Sequence, residues 1–329
     1  MKYRLVTRSD FDGLVCAVLL RRLDLIDEIT FVHPKDVQDG VVELTSRDIL
    51  TNLPYAPEAH LVFDHHHSEI MRTGGNAPNH IIDATAASAA RVVYDHYGGS
   101  DRFPGVSEEL MTAVDRADSA AYDIEEVLEP SGWALLNFLM DSRTGLGRFR
   151  HFRISNYQLM MQLIEACMNH QEVEQILALP DVAERVEVYQ TQSELFVDQL
   201  RRVSRQIDDV IVVDLRDEET IHAGNRFVVY ALFPSARVSI HMIWGKQKLN
   251  TVLAVGKSIL DRSSPTDVGS VMLRYGGGGH LAAGTCQVPH DQAERVLAEV
   301  ISLVAAPREF AHRGGSDSLA VEHAAGPTV

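Results

Sequence analysis

Four short stretches of the 329-residue chain gather side chains able to do chemistry. The first is SDFDG at 9–13, where Asp10 and Asp12 stand two apart and Gly13 follows. Carboxylate oxygens at that spacing, on a turn leaving a strand, suit Mg²⁺ or Mn²⁺. A glycine there lets the backbone come close before a helix starts. The same aspartates also suit helix capping. The second stretch is FDHHHSE at 63–69. Adjacent strand residues point to opposite faces, so Asp64, His65, His66 and His67 cannot all meet one ion. One histidine is available to a metal, the other to the opposite side or to substrate. The aspartate can orient a ring through its second nitrogen. His67 runs past the strand and reads as a surface residue. The third stretch, AVDRADSA at 113–120, holds Asp115 and Asp118 at i and i+3 near a helix end, where both can face one side. A carboxylate from here could bridge two cations. The fourth is YGGGGHLAAGT at 275–285. The run Gly276 to Gly279 costs folding entropy. It makes sense where backbone N–H groups close around an anion, as in a phosphate nest. Gly277, Gly278, Gly279 and His280 are therefore candidate phosphate contacts, with Arg274 just before them and Lys257 on an earlier strand.

These stretches need a scaffold, and the pattern around them supplies one. KYRLVT reads as a strand, SDFDG as a turn and LVCAVLLRRLDL as a helix. EITFVHP is a second strand, stopped by Pro34. HLVFD and HIIDAT are a third and a fourth. The Ala-rich segment ending at the Gly98–Gly99 pair, and SEELMTAVDRADSA, read as helices. Strands alternating with helices predict an α/β fold with a doubly wound, mostly parallel sheet. Ligands of such sheets bind at the carboxyl ends of the strands. Both the acidic turn and the Asp-His run fall at such ends.

Residues 156–207 are long, polar and helical in period, which predicts a helical connector. From Val210 the texture becomes strands: VIVVDL, RFVVYALF, VSIHMIW and TVLAVGKSI, then the glycine run and a helix over about 291–304. The expected organisation is a first domain at 1–155, the connector at 156–207, a smaller α/β domain at 208–305 and a disordered tail at 306–329.

Apolar residues make up 45 % of the chain and charged residues 23 %, as in soluble globular proteins. No run approaches the roughly 18–20 apolar residues of a membrane span. The N-terminal residues carry no long apolar stretch, so a secretory signal is not expected. Cys16, Cys167 and Cys286 are far apart and odd in number, which fits reduced thiols in the cytoplasm. The net charge of −16 argues against binding long duplex nucleic acid. A small phosphorylated partner remains compatible, because bound divalent cations reverse the local potential.

TRSDFDG near the N-terminus, FDHH ending at His66 and YGGGGHLAAG near the C-terminus, in this order, resemble the DHH phosphoesterase family. The first two match its catalytic domain, and the third matches the glycine-rich histidine motif of its DHH-associated domain. Together they span residues 1 to about 305. Within the family the chain looks most like the branch acting on short oligonucleotides and 3′-phosphonucleotides, whose members are also called exopolyphosphatase-related. The resemblance implies a two-metal hydrolase, usually Mn²⁺-dependent, with its site in the cleft between the domains. It implies Asp10, Asp12 and His65 as metal ligands and Asp118 as a metal bridge. It places His66 beside the phosphate or leaving group, with Asp12 and Asp64 completing the catalytic set. It assigns substrate binding to Gly278, Gly279 and His280, with Gly277, Arg274 and Lys257 beside them.

Two positions depart from the family pattern. Val6 stands where many members have histidine. Asn52 stands where many have an aspartate ligand, and it can ligate only through a neutral carbonyl oxygen. Asp48, four residues earlier, is a potential replacement. Both departures point to a weaker second metal site. The expected function is metal-dependent hydrolysis of small nucleotide phosphoesters by a protein that is allowed to be a homodimer. The rivals are an exopolyphosphatase, and a nucleotide-binding regulatory module with a weakened metal site.

Overall fold

The computed structural model describes residues 2–169 and 172–305, so the expected tail at 306–329 lies outside the described residues. The chain opens with β1 (Tyr3–Thr7), the helix Phe11–Arg22 and β2 (Ile26–Phe31). After β3 (Asp48–Thr51) come β4 (Leu61–Asp64) and β5 (His80–Ile82). These five strands form one parallel sheet in the order β2-β1-β3-β4-β5. All carboxyl ends therefore share one edge. The helix Phe11–Arg22 is buried from Phe11 to Leu20 because it is apolar on every side. It packs under the helices Ala89–His96, Glu108–Asp118 and Asn156–Asn169.

Strand β3 is absent from the sequence reading. It is four residues long and follows a polar loop, so periodicity has little to register, yet it pairs with both β1 and β4 in the middle of the sheet. Its position decides two residues. Asp48 opens the strand and accepts from Arg4 Nε at 2.7 Å and Arg4 Nη2 at 2.9 Å. It lies at the amino edge, on the far side from the site, and does not replace a ligand. Asn52 follows the strand at the carboxyl edge.

A second sheet runs β10-β11-β9-β8-β7-β6, with only β7 and β8 parallel. Its strands are β6 (Ser204–Ile207), β7 (Val210–Asp214), β8 (Val238–Trp244), β9 (Thr251–Lys257), β10 (Gly278–His280) and β11 (Ala283–Val288). The last four residues of the expected helical connector form β6, after the helix Pro180–Val203. RFVVYALF is a helix over Val228–Leu232, not a strand. The reason is topological: β7 and β8 are parallel neighbours, and parallel strands need a crossover connection. Strand β7 alternates between two cores. Ile211 and Val213 join the core of the first sheet's helices, whereas Val210 and Val212 face Ile240, Met242 and the helices Val268–Leu273 and Ala293–Val304. Leu215, Ala223 and Phe227 to Tyr230 join the same core as Ile211 and Val213, so the two parts are coupled by shared packing around β7.

The glycine run is partly a packing requirement. A Cβ on Gly277 would lie 2.0 Å from the Thr285 carbonyl oxygen, and one on Gly279 would lie 2.3 Å from that of Ala283. Gly278 meets nothing within 4 Å. Alanine at 277 or 279 is therefore expected to lower stability by about 1–3 kcal/mol through overpacking. Alanine at 278 should stay within about 0.5 kcal/mol of wild type. Urea unfolding midpoints of the three variants test this ordering.

Candidate active site

Strand β1 ends on Thr7, whose hydroxyl donates to the Thr51 carbonyl at 3.1 Å and accepts from the Thr51 hydroxyl at 2.7 Å. This bond pair ties the ends of β1 and β3 together beneath the acidic turn. Asp10 N-caps the helix Phe11–Arg22, accepting from the Gly13 N–H at 3.0 Å. Arg8 Nε holds its other oxygen at 3.0 Å. A Cβ on Gly13 would lie 2.1 Å from the Arg8 carbonyl oxygen, so the turn needs glycine there. Asp12 reaches across to the start of the helix Ala89–His96 and accepts from Ala89 N–H at 3.0 Å and Ala90 N–H at 2.7 Å. Capping and site-building are thus the same act for both aspartates, since a helix N-terminus favours negative charge.

Asp12, His65 and Asp118 each bring a ligand atom within 4.8 Å of the others. His65 Nε2 lies 3.0 Å from Asp118 Oδ2, while its Nδ1 lies 3.3 Å from the Ala86 carbonyl. Nδ1–H donates to that carbonyl, which leaves Nε2 aimed at the carboxylates, as a metal-ligating histidine requires. Asp115 turns away: it accepts from Arg91 and from the Ser88 hydroxyl. Only Asp118 of that pair enters the cluster.

Protons here respond to crowding. Burial, and then the charge of Asp118, push Asp12 up to about 7. Burial also raises Asp10, against the pull of Arg8 and the Gly13 N–H. Burial alone would depress His65, but the bond and charge of Asp118, with Asp12 and Asp64, overcome it and raise the ring to about 9. Asp118 is held low by His65 despite its own burial. Three acids and one base lining one partly open site, from buried Asp12 to exposed Asp118, form a donor set suited to a hard divalent cation.

Asn52 supports that fit. It is 1 % exposed, and both its amide nitrogen and its carbonyl oxygen are buried without a partner. Its φ of 55° is a conformation that asparagine tolerates better than most residues. A buried amide with nothing to bind costs stability unless a ligand satisfies it. Val6, by contrast, is fully buried in apolar contacts.

Asp64 is fully buried and accepts from His66 Nδ1 at 2.7 Å. This fixes the His66 tautomer and frees Nε2 for the cleft. His280, from β10, lies nearly parallel to His66 with ring centroids 5.2 Å apart. Burial lowers the pKa of His280, and the charges of His66 and Arg8 lower it further, so it favours the neutral form. His67 is exposed, as expected. Of the other expected contacts, Arg274 is exposed at the end of the helix Val268–Leu273, and Lys257 donates to the Thr266 carbonyl at 3.0 Å.

No protein-family model and no curated protein sequence matches the chain. Among solved structures, a pGpG-specific phosphodiesterase, PggH of Vibrio cholerae, is 58 % identical, with a TM-score of 0.79 over 92 % of this chain and 99 % of that one. The chain belongs to the DHH phosphoesterase family. An exopolyphosphatase-related protein of Bacteroides fragilis shares the fold at 11 % identity and a TM-score of 0.51, over 92 % of both chains. As a DHH protein the chain is a hydrolase of phosphoester bonds, and the two-sheet α/β architecture is the one the three motifs implied. Sequence reasoning missed Arg8 and Arg143, whose charges both bear on Asp10. Arg8 had a signal, standing two residues before the motif aspartate. Arg143 had none, because only folding brings its loop to the site.

Metal binding should release protons, since ligands must be deprotonated. With Asp12 near 7 and His65 near 9, loading Mn²⁺ at pH 7 is expected to release between about one and two protons per chain. Apparent affinity should rise from pH 6 to 9 as proton competition falls. Calorimetric titration in buffers of different ionisation enthalpy measures both; a heat independent of buffer would contradict the cluster.

Proposed function

We propose that this DHH hydrolase cleaves the internal phosphodiester of linear dinucleotides, with pGpG the first substrate to test. The carrying observation is the 58 % identity, across nearly both whole chains, to a phosphodiesterase specific for pGpG. In this reading Asp12, His65 and Asp118 hold a divalent cation, Mn²⁺ or Mg²⁺, and Asp10 and Asn52 serve a second one. Such an ion supplies positive charge at the phosphate and lowers the pKa of a water.

The remaining work belongs to the chain's own groups. Asp64 keeps the His66 ring oriented, so Nε2 can donate a hydrogen bond or a proton to the departing oxygen. His280, which favours the neutral form, faces His66 across the cleft and contacts the phosphate. Gly278, where a side chain is absent but not excluded, lets the substrate approach β10. Residues 1–155 carry the chemistry, 156–203 connect, and the second sheet from Ser204 to residue 305 holds the substrate. The −16 charge supports small substrates over long duplexes. Among the described residues no helix is long and apolar enough to cross a membrane. The three cysteines are buried and free, which supports a reducing, cytoplasmic setting.

The test is incubation of purified protein and Mn²⁺ with pGpG, a 3′-phosphonucleotide and polyphosphate. Dinucleotide turnover should exceed the other two. Asp12→Asn, which preserves size, should lose activity by orders of magnitude. A metal-loaded protein that turns over none of the three would sink the enzyme reading, and full activity in Asp12→Asn would sink the metal assignment.

A further inference from the structure

Beside the metal cluster lies a cationic recess that the hydrolytic scheme above leaves unused. Asp141 follows the helix Gly132–Met140 and begins a short turn. It accepts from Arg143 N–H at 2.9 Å and Arg143 Nε at 2.7 Å. From the other side of the cleft, Arg226 brings Nε to 3.6 Å from Asp141 Oδ2, too far for a hydrogen bond. That Nε is buried and has no partner. The juxtaposition is built in: Gly224 N–H donates to the Thr144 carbonyl at 3.0 Å, and Arg148 Nη1 donates to the Ile221 carbonyl at 3.1 Å. The two loops carrying the arginines are thus stitched together.

One carboxylate, Asp141, stands next to both guanidinium groups. Burial and then Arg143 lower Arg226 to about 10. Next to it His241 is driven down to about 4 by burial and by Arg226, so it stays neutral. Tyr230, which also senses Arg226, is raised by burial to about 12 and supplies no anion. A partly desolvated guanidinium with an unmet N–H favours an external anion. Arg143 reaches the other way: its charge is felt by Asp10, and it feels Asp10 and Asp118 in turn. The pair thus joins the turn after the helix Gly132–Met140 to the loop before the helix Val228–Leu232, through Asp141.

We propose that Arg143 and Arg226 bind the terminal 5′-phosphate of a linear dinucleotide whose internal phosphodiester lies at the Asp12–His65–Asp118 cluster. This rests on the dinucleotide reading given above. The chemistry favours a terminal phosphate because a phosphomonoester carries nearly two negative charges and three acceptor oxygens. Planar guanidinium forks match it with paired hydrogen bonds, which lysine cannot do. The recess makes the enzyme selective for 5′-phosphorylated dinucleotides over the same dinucleotides without that group.

The experiment compares kcat/KM for pGpG and for GpG, which lacks the 5′-phosphate, in wild type, Arg143→Gln, Arg226→Gln and Arg143→Lys. Wild type should prefer pGpG by about 10–100-fold, the value of one or two charge-assisted bonds. Each glutamine variant should shrink that ratio by about tenfold or more through a raised KM for pGpG, with Arg143→Lys intermediate. Arg143 is half exposed, so its replacement should leave the fold intact even where that of Arg226 does not. A wild type without preference, or variants that lower both substrates by the same factor, would overturn the inference while leaving dinucleotide hydrolysis standing. Wild-type turnover of neither substrate would remove the dinucleotide reading itself.

Discussion

Three aspartates and a histidine crowd together at the carboxyl edge of a parallel sheet, around the buried Asp12, and like charges do not gather without compensation. Every strong feature around Asp10, Asp12 and Asp118 supplies part of that compensation. Gly13 N–H and Arg8 serve Asp10. The first turn of the helix Ala89–His96 serves Asp12, and the His65 ring serves Asp118. What is left over appears as retained protons: Asp12 near 7 and His65 near 9. The protein holds in protons the charge that a divalent cation replaces.

The same constraint shapes the scaffold. Helix N-termini carry partial positive charge, and doubly wound folds place them at the edge where strands end. The turn after β1 and the run after β4 can both be acidic there because neighbouring helix starts absorb the charge. Glycine at position 13 lets the turn pass close to the Arg8 backbone. The Thr7–Thr51 hydrogen bonds hold the floor rigid. Neutral Asn52 adds no negative charge at this edge, which leaves less repulsion for the cluster to offset.

The second sheet completes the site from the opposite side. Strand β7 contributes to both cores, so the orientation of β10 over the first sheet depends on packing and not on the glycine run alone. His280 meets His66 and Arg226 nears Asp141 only because loops far apart in sequence are bonded across the cleft. Direct bonds from Arg262 Nη2 to the carbonyls of Ser119 and Ala120 brace the end of the helix that carries Asp118.

Much of this was legible in one dimension. Asp10, Asp12, His65, His66 and His280 lie in short motifs whose residue types carry their own chemistry, and alternating strand and helix periods pointed to a parallel sheet. Local sequence by itself determined these because capping, periodicity and glycine runs act over a few residues. It was silent about β3, which is too short to show a period, and it misread Val228–Leu232, where an apolar run serves equally for strand or helix until the neighbouring strands prove parallel. Residue spacing let both Asp115 and Asp118 face the site, and it was the family resemblance that pointed to Asp118. Only the tertiary structure decided that Asp115 turns to Arg91, that Asp48 lies at the wrong edge, and that Arg143 and Arg226 share one carboxylate. Those outcomes depend on which distant groups arrive within a few ångströms, and long-range packing sets that, not residue spacing.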